Sequence, residues 1–229
     1  MKRIAIITAR SNSKRLRNKN ILPICGKPLL AYSIEAAVKS GLFERVILST
    51  DSDEYGAIGE QYGAEYLKRS EETSGDNASS FIALKEVLDT VGTDFDYFML
   101  LQPTSPLRDA THVAEACALF EERISDFDFL VSVRETRNKP DFLHLLDERG
   151  GFSNYEKNAA NAQQQNARYH VLNGAIYIAK PQCYLEKKGF LGASTYAYIM
   201  DAESSVDIDR PIDFELASLL LAKKQGRTL

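Results

Sequence analysis

The chain has 229 residues and a formal net charge of −4, with 44% hydrophobic and 26% charged residues. That length suffices for one large domain with a full core, the balance is ordinary for a soluble globular protein, and the concentrated basic residues form one loop and not the long stripe of a nucleic-acid binder. No run approaches the roughly 20 apolar residues that cross a bilayer, and the N-terminal apolar run is too short for a signal-peptide core, so a cytoplasmic protein is expected.

Taken in chain order, Arg3–Thr8 is the first short apolar run, of the kind that forms a strand buried on both faces. Directly after it, residues 9–20 hold five basic side chains, no acid and no glycine, with several Ser and Asn. A strand ending in such a loop suits a polyanion at its carboxyl end, the usual ligand position in an open α/β sheet. From charge alone, a solvated basic loop accounts for the same residues equally well. Leu29, Leu30, Ile34, Ala37 and Val38 then share one helical face, with Gly41 as the stop. A second strand over Arg45–Thr50 ends in Ser49-Thr50-Asp51. Tyr55, Ile58, Gly59 and Tyr62 make a weaker helical face that ends at Gly63, and Phe81, Ile82, Leu84, Lys85 and Leu88 make another. Tyr97–Gln102 is the next strand and runs into Leu101-Gln102-Pro103-Thr104-Ser105-Pro106-Leu107-Arg108. A helix on Val113, Ala116, Cys117 and Phe120 precedes a strand over Phe127–Val133. Residues 134–169 lose periodicity, and so long an irregular stretch points to function or to a partner. Order resumes with strands at Val171–Ala179 and Thr195–Met200, a polar loop 201–210 and a final helix over 211–224. Strands and helices alternating at this spacing predict a mainly parallel sheet with helices on both faces and no second domain.

The polar insertions carry the chemistry. Phosphate cradles of the P-loop and dinucleotide type need glycines so that backbone N–H groups approach the phosphates, and no glycine precedes Gly26. Phosphate would be held by side chains, with Arg10, Lys14 and Lys19 the best placed. Asp207 and Asp209 are spaced i, i+2, so on an extended segment both carboxylates project to one side and suit a divalent cation shared with phosphate oxygens. A solvated loop pair or a helix cap fits the same spacing, and Asp213 reads as an acid at a helix N-terminus. Cys25, Cys117 and Cys183 are odd in number and far apart, so reduced thiols are expected, with Cys117 in the core. His112, His144 and His170 show no metal spacing.

In these residues the sequence resembles the CMP-sialic acid synthetases (acylneuraminate cytidylyltransferases). Ala9-Arg10-Ser11-Asn12-Ser13-Lys14-Arg15-Leu16 with Lys19-Asn20 is similar to that family's opening signature. It is followed by Gly26-Lys27-Pro28-Leu29, Ser49-Thr50-Asp51, Arg69-Ser70-Glu71 with Asp76 to Ser80, the Leu100 to Arg108 motif, Asn173-Gly174-Ala175-Ile176-Tyr177-Ile178, and Asp207-Ile208-Asp209. The resemblance implies a Rossmann-like three-layer α/β/α nucleotide-diphospho-sugar transferase fold. It implies attack of a nonulosonic acid's anomeric hydroxyl on the α-phosphorus of CTP, giving CMP-sugar and pyrophosphate. By the same resemblance, Arg10, Lys19 and Asp209 are catalytic, and Arg10, Ser13, Lys14, Lys19, Asn20, Arg69, Asp76 and Ser80 bind the nucleotide. Gln102, Gln163, Arg168, Asn173, Tyr177 and Phe190 line the sugar site, and Asp207 and Asp209 hold Mg²⁺. A homodimer is implied, with 134–169 and Phe190-Leu191 reaching the partner's site.

One departure concerns the sugar. Gln163 stands where the family carries an arginine for the sugar carboxylate, and Val171 where a second arginine is common. A glutamine does not replace a bidentate charged contact. Three alternatives stand beside this reading. A 3-deoxy-manno-octulosonate cytidylyltransferase is disfavoured by Asn20, where that family has proline. A sugar-1-phosphate nucleotidyltransferase is disfavoured by the absent Gly-rich loop. A non-catalytic nucleotide-binding module is disfavoured by the presence of both Asp207 and Asp209.

Overall fold

In a computed structural model, residues 1–11, 16–75, 79–137 and 168–226 are described. The strands are β1 (Arg3–Thr8), β2 (Pro23–Ile24), β3 (Lys27–Pro28), β4 (Arg45–Thr50), β5 (Glu65–Lys68), β6 (Tyr97–Leu101), β7 (Phe129–Thr136), β8 (Tyr169–Ala179) and β9 (Thr195–Met200). The helices are α1 (Leu29–Ser40), α2 (Asp53–Gln61), α3 (Glu71–Ser74), α4 (Ser80–Val91), α5 (Ala110–Glu122), α6 (Pro181–Lys187) and α7 (Pro211–Lys224). Seven strands form one sheet in the order β5-β4-β1-β6-β8-β7-β9. Every pairing is parallel except those of β8, which runs antiparallel to both β6 and β7.

The apolar runs make a three-layer molecule because successive side chains of a strand face opposite ways. From β1, Ala5 and Ile7 enter a core with Leu30 and Ile34 of α1 and Val113 and Phe120 of α5. Ile4 and Ile6 enter a second core with Leu84 and Leu88 of α4 and Tyr184 of α6. A sheet covered on both faces needs apolar runs in its central strands, which β1 supplies over Ile4–Ile7 and β6 over its whole length. None of the helices among the described residues is long and apolar enough to cross a membrane. Cys117 is buried in the first core, and all three cysteines are free thiols.

The expected mainly parallel sheet is observed, with differences at its margins. The strand expected at 127–133 is shifted to Phe129–Thr136, and β8 begins two residues before the expected Val171. The edge strand β5 and the β2–β3 hairpin were not anticipated. The hairpin turns through Cys25 and Gly26, both at positive φ (50° and 88°), as a two-residue loop requires.

Helix α2 approaches β4 closely enough to exclude a side chain. A Cβ on Gly59 would stand 2.4 Å from Cδ2 of Leu48, which is fully buried. Gly59→Ala is therefore expected to lower stability by about 1–3 kcal/mol through overpacking. That loss outweighs the alanine's gain in helix propensity of about 1 kcal/mol. Calorimetry checks this, and a melting temperature at or above wild type would show that α2 can shift without strain.

Candidate active site

The carboxyl ends of β1, β4 and β6 open on one edge of the sheet, and hydrogen bonds lace their loops together there. The N–H of Ala9 donates to the carbonyl of Ser49 at 3.0 Å. Two residues further, Ser11 gives both its N–H (2.8 Å) and its hydroxyl (2.7 Å) to the carboxylate of Asp51. Arg10, between these anchors, is held through its carbonyl, which accepts from the buried Asn20 amide at 3.0 Å. Arg69 is buried and donates to the hydroxyl and carbonyl of Ser49 at 3.3 and 3.2 Å. Burial pulls its pKa down, Asp51 and Glu86 oppose that, and Arg10 adds to it. The guanidinium groups of Arg10 and Arg69 and the carboxylates of Asp51 and Glu86 thus lie within electrostatic reach of one another.

The fourth polar insertion closes the same edge from the other side. Ile208 is fully buried in a small cluster with Ile24, Leu29, Leu107 and Leu221. Its N–H donates to the carbonyl of Thr104 at 2.8 Å, and its own carbonyl accepts from Nζ of Lys19 at 2.6 Å. With Ile208 anchored inward, the flanking Asp207 and Asp209 are left outside, the same-side arrangement expected from their spacing. Lys19 also pairs with Asp209 at 3.1 Å. The basic loop and the carboxylate segment, 189 residues apart in sequence, therefore meet directly.

Asp207 is accessible at the cleft mouth but hemmed in by protein mass. Lost hydration raises its pKa, the Thr104 hydroxyl and Lys19 pull it back, and Asp209 and Asp213 push it further up. Gly174 in β8 sits opposite at φ +78°, and a Cβ there would point at Oε1 of Gln102 (3.6 Å) and the carboxylate of Asp207 (3.9 Å). Tyr177 lies near enough for the charge on Asp207, after burial, to raise its pKa. Gln102, Gly174, Tyr177 and Asp207 thus surround one space.

The remaining expected site residues fall in different places. Ser80 is exposed on the first turn of α4, and Arg168 is exposed just before β8 with no described contact to the cleft. Asn173 faces inward. Its carbonyl oxygen accepts from the Ser132 hydroxyl (2.5 Å) and the Ala175 N–H (3.2 Å), and its amide donates to Ser205 (2.9 Å). These bonds fill the break in the β7–β8 register between Val131 and Val133. Phe190 packs on Tyr177, Tyr184 and Phe98 at 5.0, 4.8 and 5.9 Å between ring centres, as part of an aromatic cluster within its own chain. Ser13, Lys14, Asp76 and Gln163 lie outside the described residues, as does most of the expected 134–169 excursion. Sequence reasoning passed over Asp51 and Thr104 as site residues. Each stood inside a quoted motif, which was the signal available.

A family model described as Cytidylyltransferase matches residues 4–229. This chain belongs to the cytidylyltransferase family. Within it, the resemblance to the CMP-sialic acid synthetases is upheld. The N-acylneuraminate cytidylyltransferase of Escherichia coli is 48% identical over 226 residues, which are 99% of this chain and 54% of that protein. The chain spans about half the length of the first curated relatives it matches. The CMP-N,N'-diacetyllegionaminic acid synthase of Legionella pneumophila is 33% identical, with 98% of each chain covered. A solved CMP:2-keto-3-deoxy-manno-octonic acid synthetase complexed with CTP superposes with a TM-score of 0.73 over 98% of this chain at 20% identity, which shows the shared fold.

Proposed function

We propose that the chain is a CMP-nonulosonate synthetase, which joins CMP from CTP to N-acetylneuraminate or a relative such as legionaminate or pseudaminate and releases pyrophosphate. The observation that carries this reading is the contact of Lys19 with Ile208 and Asp209, which brings a glycine-free basic loop and a carboxylate pair to one cleft edge. In-line displacement at phosphorus is catalysed mostly by positioning and charge neutralisation. Arg10, fixed by the Asn20 bond behind it, stabilises charge on the α-phosphate, and Lys19 and Lys14 hold the triphosphate. Arg69 and Asn20 shape the base end from within the wall. Gln102 and Tyr177 face the sugar, whose anomeric oxygen forms the new bond to phosphorus as pyrophosphate departs with the electron pair of the old one.

The residues present fit Mg²⁺. Two hard oxygen ligands stand together at the cleft, one of them with a pKa raised first by burial and then by its neighbour Asp209. Asp207 and Asp209 would hold the ion, which when bound neutralises triphosphate oxygens. We place the enzyme in the cytoplasm, as a homodimer. Support for the dimer is that Leu172 and Ile199, 41% and 61% exposed, flank Val133 in register on neighbouring strands and leave an apolar surface.

The test is pyrophosphate release with CTP and Mg²⁺ over N-acetylneuraminate, legionaminate, pseudaminate and 3-deoxy-manno-octulosonate. Release with at least one of the first three is expected, and release with none of them overturns the reading. A Gln163→Arg variant in the same panel is expected to raise kcat/KM on N-acetylneuraminate, and an unchanged or lower value removes Gln163 from the carboxylate site.

A further inference from the structure

Arg108 is the largest fully buried side chain of the protein, at 1% exposure, and the reading above gives it no task. Its guanidinium makes no ion pair among the described residues, and its Nε has no hydrogen-bond partner there. Burial pulls its pKa down to about 10, against the charge of Asp109, so it remains a cation at neutral pH. A buried cation without a paired anion is destabilising, and an apolar side chain of the same length would serve packing better.

Its donors converge on one short segment. Nη2 donates to the hydroxyl of Ser33 at 2.5 Å and to the carbonyl of Gln102 at 3.3 Å, and Nη1 donates to the carbonyl of Tyr32 at 3.5 Å. Ser33 in turn gives its hydroxyl to the same Gln102 carbonyl at 3.0 Å. The loop 102–108 is thereby closed on itself and pinned to α1. Its outer face carries the amide of Gln102 beside Gly174, and Thr104, whose carbonyl holds Ile208 and whose hydroxyl lies near enough to Asp207 to lower its pKa.

We propose that Arg108 is a positioning residue that, with Ser33, locks the 102–108 loop and so sets Gln102 for the sugar and Asp207 for the divalent cation together. The rigid planar fork is suited to gripping two oxygens in fixed directions, which a flexible ammonium is not. This inference rests on the proposed synthetase reaction for its kinetic consequence, but its structural half does not.

The experiment compares Arg108→Met and Ser33→Ala with wild type. Methionine leaves no orphaned acceptor at Gln102, because that carbonyl still receives Ser33 and, at 3.4 Å, the N–H of Ser105. The serine variant, which removes one hydroxyl, covers the case in which the methionine variant fails to fold. Amide hydrogen exchange of 102–108 and 206–209, measured without substrates, is expected to speed at least about tenfold while the melting temperature is kept. In the reaction, the KM for the sugar and the Mg²⁺ concentration for half-maximal rate are expected to rise together, by about 10- to 100-fold. Folded variants with unchanged exchange and both constants within about twofold of wild type would overturn the proposal. If wild type itself releases no pyrophosphate, the reaction reading fails and the exchange result still decides whether Arg108 locks the loop.

Discussion

Asp207→Asn is expected to abolish most pyrophosphate release while leaving the fold as stable as before or more so. The two effects have opposite signs because the carboxylate serves the ligand and not the fold. Its pKa is raised by lost hydration, and further by Asp209 and Asp213, against the help of Thr104 and Lys19. A carboxyl raised above its unfolded value destabilises the folded chain at pH above that raised value, and the penalty fades as pH falls through it. Asparagine cannot ionise, so the variant is free of the penalty at neutral pH. What it loses is the charge that meets a divalent cation. Charge stabilisation of that kind is worth several kcal/mol in the transition state, or roughly 10²–10⁴-fold in rate. The check pairs a pyrophosphate assay over a range of Mg²⁺ concentrations with a melting curve. Activity within about tenfold of wild type would remove Asp207 from the cation site. A fallen melting temperature would show that the carboxylate serves the fold after all.

The same contrast explains what could be read from the sequence. The sheet was legible because β6 is apolar at every position and β1 is apolar over Ile4–Ile7, and burial on both faces accounts for such runs. The final helix was legible at both ends, with Pro211 opening it and Lys223 and Lys224 in its last turn. Strand β5 was missed because it has four residues with charged ends, Glu65 and Lys68, and takes its place from pairing with β4. The Pro23–Pro28 hairpin was missed because its turn places a cysteine at positive φ, which no propensity favours. At the site, the carboxylate pair and the basic loop were visible as charge out of keeping with its surroundings. Asn173 was legible as a motif residue but not as a buried one, because its partners Ser132 and Ser205 come from other elements. Phe190 raises the same difficulty: it was legible only through the family resemblance, and its packing on Tyr177 of another element is not written in the local pattern. Local pattern reports which faces are buried. It does not report which distant loop supplies the partner.

That limit matters most for Lys19, whose substitution carries the second large effect. It opens a short 3-10 turn, Lys19–Ile21, behind Asn18 in the left-handed conformation (φ 53°). The turn points its side chain, 14% exposed, across to the carboxylate segment. Lys19→Met keeps most of the stem and removes the bonds to the Ile208 carbonyl and Asp209. Because Asp209 is half exposed, at 50%, the ion pair contributes about 1 kcal/mol or less to folding. A cation aimed at developing charge on a transferring phosphoryl group is worth about 2.7–4 kcal/mol, by analogy with one oxyanion donor. The larger number decides where the loss falls. Lys19→Met is expected to lower kcat/KM for CTP by about 10²–10³-fold, with only a small drop in melting temperature. Lys19→Arg is expected to recover part of that activity, since it restores the charge but not the compact reach of the ammonium to the Ile208 carbonyl. The opposite pattern, early melting with near-normal kcat/KM below the transition, would make Lys19 a strut between the two loops and leave the triphosphate to Arg10 and Lys14.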